Sequence, residues 1–218
     1  MSAAIEPVQR RRNRAVSCGM GFFLMIAGSA VPAYAAQLSA PIAQLYTSVS
    51  IYPPTASAMT VCYGFGCRRR QMITFSAADR RALTQILGSG RGSAAAERAA
   101  VQRAVVWFDR RLGPLIGTSK RVARADFRAR DDQHNFDCWD TTRNTTSLLL
   151  VLQDWNLLKH HTVGDPHYRG NVMALQTPHN TAVLVDRANH MEWVVDLWPR
   201  GYGEKPDVMP VQKWVKED

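Results

Sequence analysis

Three side chains in this sequence have the types and the order from which a thiol enzyme can be built: Cys138, His179 and Asp196. A cysteine attacks a carbonyl carbon, a histidine takes and returns the proton, and a carboxylate fixes the histidine tautomer. His179 heads the run 179–186 and Asp196 lies in the run 192–198, both rich in β-branched and aromatic residues, with a turn-like Arg187-Ala188-Asn189 between them. A two-residue turn at Arg187-Ala188 would set His179 directly opposite Asp196 in an antiparallel hairpin, Cβ atoms roughly 5 Å apart. Centring the turn on Ala188-Asn189, where Asn tolerates the left-handed conformation, makes them diagonal neighbours on the same face. Either register lets the carboxylate accept from one imidazole nitrogen and leaves the other to act as base.

Cys138 needs an element of its own. Asp137 suits an N-cap and Asp140 stands three residues on, an acidic form of the capping box, so a helix is expected with Cys138 in its first turn. It should run through Thr145-Thr146-Ser147 and the apolar 148–152 to Trp155 and Leu158. A helix N-terminus and a neighbouring imidazolium both favour the thiolate, whereas Asp137 and Asp140 oppose it. Activation of the thiol therefore leans on the histidine.

Over roughly residues 129–198 the chain resembles the papain-like and transglutaminase-like superfamily of thiol enzymes. The resemblance is carried by Cys138 followed by Trp139, His179 heading its strand, and Asp196 ending the next ahead of Leu197-Trp198-Pro199. It implies an α+β fold in which a helical N-terminal part packs with an antiparallel sheet, a papain/transglutaminase-like core, and a Cys138-His179-Asp196 triad acting without a cofactor. Asn180-Thr181 stand where the family usually has an aromatic residue shortly after the histidine. Gln133 and Asn135 lie near where related enzymes place an amide donor for the oxyanion.

The first 35 residues read as an export signal. Arg10-Arg11-Arg12 and Arg14 form a basic region, an apolar stretch contains Phe22-Phe23-Leu24-Met25-Ile26, and Ala33-Tyr34-Ala35 is a cleavage motif. Removing this segment takes away four arginines and one glutamate and leaves 23 basic and 17 acidic residues, a net charge of +6. That excess suits contact with anionic envelope surfaces, and no basic helix interleaved with aromatics points to nucleic acid. In an oxidising compartment Cys62 and Cys67, separated by Tyr-Gly-Phe-Gly, can close a small disulfide loop, which leaves Cys138 as the odd thiol.

The remaining chain reads as one α+β domain over 61–218, preceded by an extended lead-in at 36–60. An extended segment is expected near Met72-Ile73-Thr74-Phe75, then a helix over 77–87 capped by Ser76 and Asp79. A second helix should open at Ser93, bury Val101, Val105, Phe108 and Leu112, and stop at Gly113-Pro114. Residues 117–136 form a charged loop flanking the site, and the tail after Trp198 wraps back, anchored by Trp214. All six histidines fall between 134 and 190, yet no pair has a spacing with known metal-ligand mechanics, so no metal ligands are assigned. His160 and His161 suit the C-terminal end of the Cys138 helix. Three functions stay open: an exported cysteine hydrolase or amidotransferase acting on a peptide or protein amide, a non-catalytic envelope binding protein of the same fold, and a histidine-based metal-binding protein.

Overall fold

The computed structural model describes residues 38–171, 173 and 176–217, and the export signal read over residues 1–35 lies outside them. In chain order the elements are α1 (Ala40–Thr47), β1 (Ala58–Tyr63), β2 (Arg69–Thr74), α2 (Ala77–Gly88), α3 (Ala94–Ile116), α4 (Cys138–Asp154), β3 (His161–Arg169), β4 (His179–Asp186), β5 (Glu192–Asp196), β6 (Asp207–Pro210) and α5 (Val211–Trp214). The fold is α+β, with an antiparallel hairpin β1–β2 and an antiparallel four-stranded sheet ordered β3-β4-β5-β6.

Local chemistry accounts for most of these boundaries. Ser76 and Asp79 make a reciprocal capping box at the start of α2, Ser93 accepts from the Ala96 amide at the start of α3, and Asp137 accepts from the Asp140 amide at the start of α4. Each satisfies a backbone donor that the first helical turn leaves without an intrahelical partner. The disulfide Cys62–Cys67 closes the β1–β2 hairpin, with Cα atoms 4.5 Å apart.

Helix α4 is buried on all sides from Asp140 to Leu152, and its two halves bury different chemistry. Leu148, Leu149, Val151 and Leu152 pack into the main core with Val101, Val105, Phe108 and Leu112 of α3 and Leu184 of β4. The polar half finds hydrogen-bond partners instead, as buried polar groups must. Asn144 exchanges two bonds with the backbone of Cys62 (2.8 and 2.7 Å), Ser147 meets the Tyr46 hydroxyl at 3.1 Å, and Arg143 Nε donates to Leu45 O at 2.6 Å. The hairpin and α1 are thereby pinned to the helix that carries Cys138.

Three expectations need correction, and the antiparallel sheet extends beyond the hairpin. Residues 36–60 are not wholly extended: Ser39 caps α1, with Pro41 in its first turn where a missing N–H costs nothing, and β1 begins at Ala58. Helix α3 does not stop at Gly113-Pro114 but continues to Ile116, capped by left-handed Gly117. Pro114 lacks the N–H that would bond Arg110 O, and that carbonyl accepts the Tyr202 hydroxyl at 3.1 Å instead. Gly113 leaves room for the same ring, since a Cβ there would lie 2.3 Å from Tyr202 Cε2. His160 and His161 do not end α4; it ends at Asp154, and His161 opens β3. The sheet also contains β3 and β6, outside the expected hairpin.

A buried clamp ties α3 to the beginning of β3. Glu97, 1% exposed, accepts the backbone N–H groups of Lys159 (2.6 Å), His160 (3.0 Å) and His161 (3.0 Å) and meets His161 Nδ1 at 2.9 Å. His161 Nε2 faces a guanidinium nitrogen of Arg98 at 3.2 Å, which can only donate, so Nε2 accepts and Nδ1 carries the proton given to Glu97. Burial alone would raise the Glu97 carboxyl, but the bonds from His161, Lys159 and His160 outweigh it and hold it below the ordinary carboxylate range.

Candidate active site

Strands β4 and β5 pair with Ala182 opposite Val195 and Val185 opposite Glu192, which makes His179 and Asp196 diagonal neighbours on one face. The four-residue turn 187–190 closes on an Asp186 N–H to Met191 O bond, and its left-handed residue is His190 rather than Asn189. His179 Nε2 and Asp196 Oδ2 are 2.7 Å apart, both side chains 2% exposed. The same Oδ2 accepts the indole N–H of Trp214 at 2.9 Å. Rings of Trp198 and Trp214 flank the imidazole, with centroids 4.6 and 5.4 Å away. A carboxylate oxygen on Nε2 leaves Nδ1 for proton transfer, and Nδ1 is buried without a hydrogen-bond partner among the described residues.

Cys138 is half-buried in the first turn of α4 and is the free cysteine among the described residues. Asn180, the residue after His179, brings β4 to it. The partners around its amide orient the nitrogen toward Thr142 Oγ1 (2.8 Å) and Cys138 O (2.8 Å) and the oxygen toward Trp139 Nε1 (3.3 Å). The backbone N–H of Asn180 faces the Cys138 sulfur, as do those of Cys138 and Trp139. Burial, reinforced by the Asp137 charge, nevertheless pushes the thiol up to about 11, and the three N–H groups only moderate the rise. At neutral pH the resting sulfur is a thiol, not a thiolate.

The two aspartates around Cys138 are held by the disulfide loop. Gly66 N–H donates to Asp137 Oδ2 and Cys67 N–H to Asp140 Oδ1, both at 2.7 Å. Asp140 thus caps the neighbouring loop instead of completing a capping box. Its Oδ2 is buried without a partner, and burial, with the charge of Asp137, raises its carboxyl to about 7 despite the Cys67 amide and Arg143. Proton uptake by Asp140 should therefore stabilise the fold fully below its unfolded value of about 3.9 and cease to do so as pH rises through about 7. Asp140→Asn is expected to flatten the fall in melting temperature between about pH 4 and pH 7, followed by circular dichroism at successive pH values. Identical pH slopes in the two proteins would count against a buried, protonating Asp140.

Gln133 and Asn135, the expected oxyanion donors, make other contacts. Asn135 is buried, its oxygen accepting Val122 N–H (2.8 Å) and its nitrogen donating to Asp132 (2.9 Å), so the amide braces the 117–136 loop. Gln133 is exposed and lines a different cleft, with Arg68, Arg69 and Arg130. Backbone amides of α4 and β4 face the sulfur, which residue types alone do not reveal. The histidines scatter: His134 bonds Asp132, His160 bonds Arg91 O, His161 bonds Glu97 and His167 bonds Glu192. Among the described residues no group of three or more His, Cys, Asp or Glu side chains could hold a metal ion. No helix among them is long and apolar enough to cross a membrane.

The 117–136 loop reaches the site through Trp198. Arg121 forks onto Asp109 of α3 (2.9 and 3.1 Å), while Arg124 N–H bonds Trp198 O (2.9 Å) and Trp198 Nε1–H bonds Ala125 O (3.0 Å). A polar cleft of about 510 Å³ opens between this loop and β4 and reaches His179. A second cleft of about 460 Å³, mostly apolar, lies between α1, Trp139 and Pro166. Comparison of the chain with protein-family models, with curated proteins and with solved structures found no match.

Proposed function

We propose that the protein is an exported thiol enzyme, a cysteine hydrolase or amidotransferase of transglutaminase-like type acting on peptide or amide bonds. The observation that carries this reading is the arrangement at His179. Asp196 and Trp214 fix one side of the imidazole, and the buried, unpartnered Nδ1 belongs to the residue next to the amide that faces the Cys138 sulfur. A thiol that starts neutral suits general-base catalysis, in which Nδ1 accepts the thiol proton as sulfur attacks the carbonyl and then returns it to the leaving amine. Water or a second amine would then release the acyl group from sulfur. Backbone N–H groups at the start of α4 are the donors for the developing oxyanion, at the positive end of the helix dipole.

The disulfide fits an exported protein. The test is intact-mass and peptide mapping after a peptidyl thiol-reactive probe. Labelling is expected on Cys138 alone, absent in Cys138→Ser and unaffected by chelators. Stoichiometric metal in the purified protein, with loss of folding on chelation, would favour the metal-binding alternative instead.

A further inference from the structure

We propose that the cleft ending at His179 binds a carboxylate of the substrate, with Arg124 as the residue that recognises it. This deepens the thiol-enzyme reading and rests on it for the meaning of the site. The argument is one of an unpaired guanidinium. Among the described residues four charged side chains line the cleft: Arg124, Arg169, Asp126 and Glu217. The two acids already have cationic partners, since Arg128 approaches Asp126 (Nε to Oδ2 3.6 Å) and Lys213 approaches Glu217 (3.5 Å). Among the described residues Arg169 donates to the backbone carbonyls of Trp214 and Glu217 and lies over the Trp214 ring, with no carboxylate opposite it. For the Arg124 guanidinium no hydrogen bond or ion pair occurs among them.

The backbone beneath Arg124 is built to hold it there. Its φ is 51°, in the left-handed region that a side-chain-bearing residue adopts only under strain. The bond from Arg124 N–H to Trp198 O, with the Trp198 indole N–H donating in turn to Ala125 O, fixes that conformation, and the Trp198 ring lies against His179. A strained residue clamped beside a histidine and presenting an unpaired guanidinium to a cleft is the arrangement expected of a ligand clamp. A guanidinium fork matches a carboxylate with two parallel hydrogen bonds. The carboxylate has two sources in a peptide, an acidic side chain or the chain terminus, and the cleft chemistry is the same for both.

The test is a titration of the purified protein, observing the ring resonances of His179 by NMR. The ligands are N-acetylglutamate α-amide, which carries only a side-chain carboxylate, N-acetylalanine, which carries only a terminal one, and N-acetylglutamine amide, which carries neither. At low salt one or both carboxylates should give a saturable shift and the neutral amide none; the ligand that binds identifies the source. Arg124→Gln should weaken that binding by roughly tenfold or more, because only the charge and the fork are removed. Raising the salt from about 25 to about 300 mM should weaken it in the unaltered protein. Absence of any saturable carboxylate shift, an equal response to the neutral amide, or unchanged affinity at high salt or in a folded Arg124→Gln protein would overturn the proposal. None of these readouts uses the thiol. A failure of the enzyme reading appears separately, as a Cys138 that the peptidyl probe does not label.

Discussion

His179→Ala is expected to lower turnover by about 10²- to 10⁴-fold, the range associated with loss of a positioned general base. With the thiol pushed up to about 11, only about one molecule in 10⁴ carries a thiolate at pH 7, and without the imidazole the reaction must proceed through that fraction. Alkylation of Cys138 by iodoacetamide at neutral pH should slow correspondingly and become simply proportional to hydroxide up to about pH 10. Asp196→Asn should keep the fold and also lower turnover, because an amide next to Nε2 permits the wrong imidazole tautomer. His190→Ala, in the exposed turn, should change neither rate. Stopped-flow alkylation across pH, with melting temperatures as a folding control, checks the series, and equal rates in the unaltered and His179→Ala proteins would refute the mechanism.

The largest expected effect on stability lies far from the thiol. Glu97→Ala should destabilise the fold by about 3–5 kcal/mol, the cost of breaking a buried charged network on one side. Three backbone N–H groups and the imidazole Nδ1–H lose their acceptor together, in a site where Glu97 and His161 are 1% and 0% exposed. For a chain of this size that corresponds to a fall in melting temperature of about 6–20 °C, measurable by calorimetry. Since Glu97 ionises more readily in the folded state, its contribution is complete above the unfolded carboxylate value and is lost as pH falls through its lower folded value. A change of less than about 1 kcal/mol would show that water satisfies the orphaned donors.

The elements that carry local chemistry were legible from sequence, and those made by distant partners were not. Asp137 announced the start of α4 because an N-cap acts within three residues, but the partner of Asp140 is the Cys67 amide, 73 residues away. The spacing of His179 and Asp196 allowed two registers, and the four-residue turn with left-handed His190 selects the diagonal one. Strand β3 hides behind Gly164 and Pro166, where its pairing with β4 slips by one residue, and β6 has only four residues. Gly113-Pro114 reads as a helix stop because nothing local shows that Tyr202 will bond the carbonyl Pro114 leaves behind. Trp214 was legible as an anchor, yet its donation to Asp196 depends on the tail returning beside β5. Arg124 carried no signal at all, being one arginine among many until its backbone and its cleft are seen.

The pairing of Cys62 with Cys67 bears on how Cys138 ages. A sulfenic acid formed by peroxide is usually rescued by condensing with a nearby thiol, and the other two cysteines of the described chain are already bonded to each other. Among the described residues no second free thiol is left to condense with an oxidised Cys138, so a thiol from outside would have to rescue it before it runs on to the irreversible sulfinic acid. The protection is kinetic: peroxide attacks the thiolate, and burial together with the Asp137 charge keeps that form scarce.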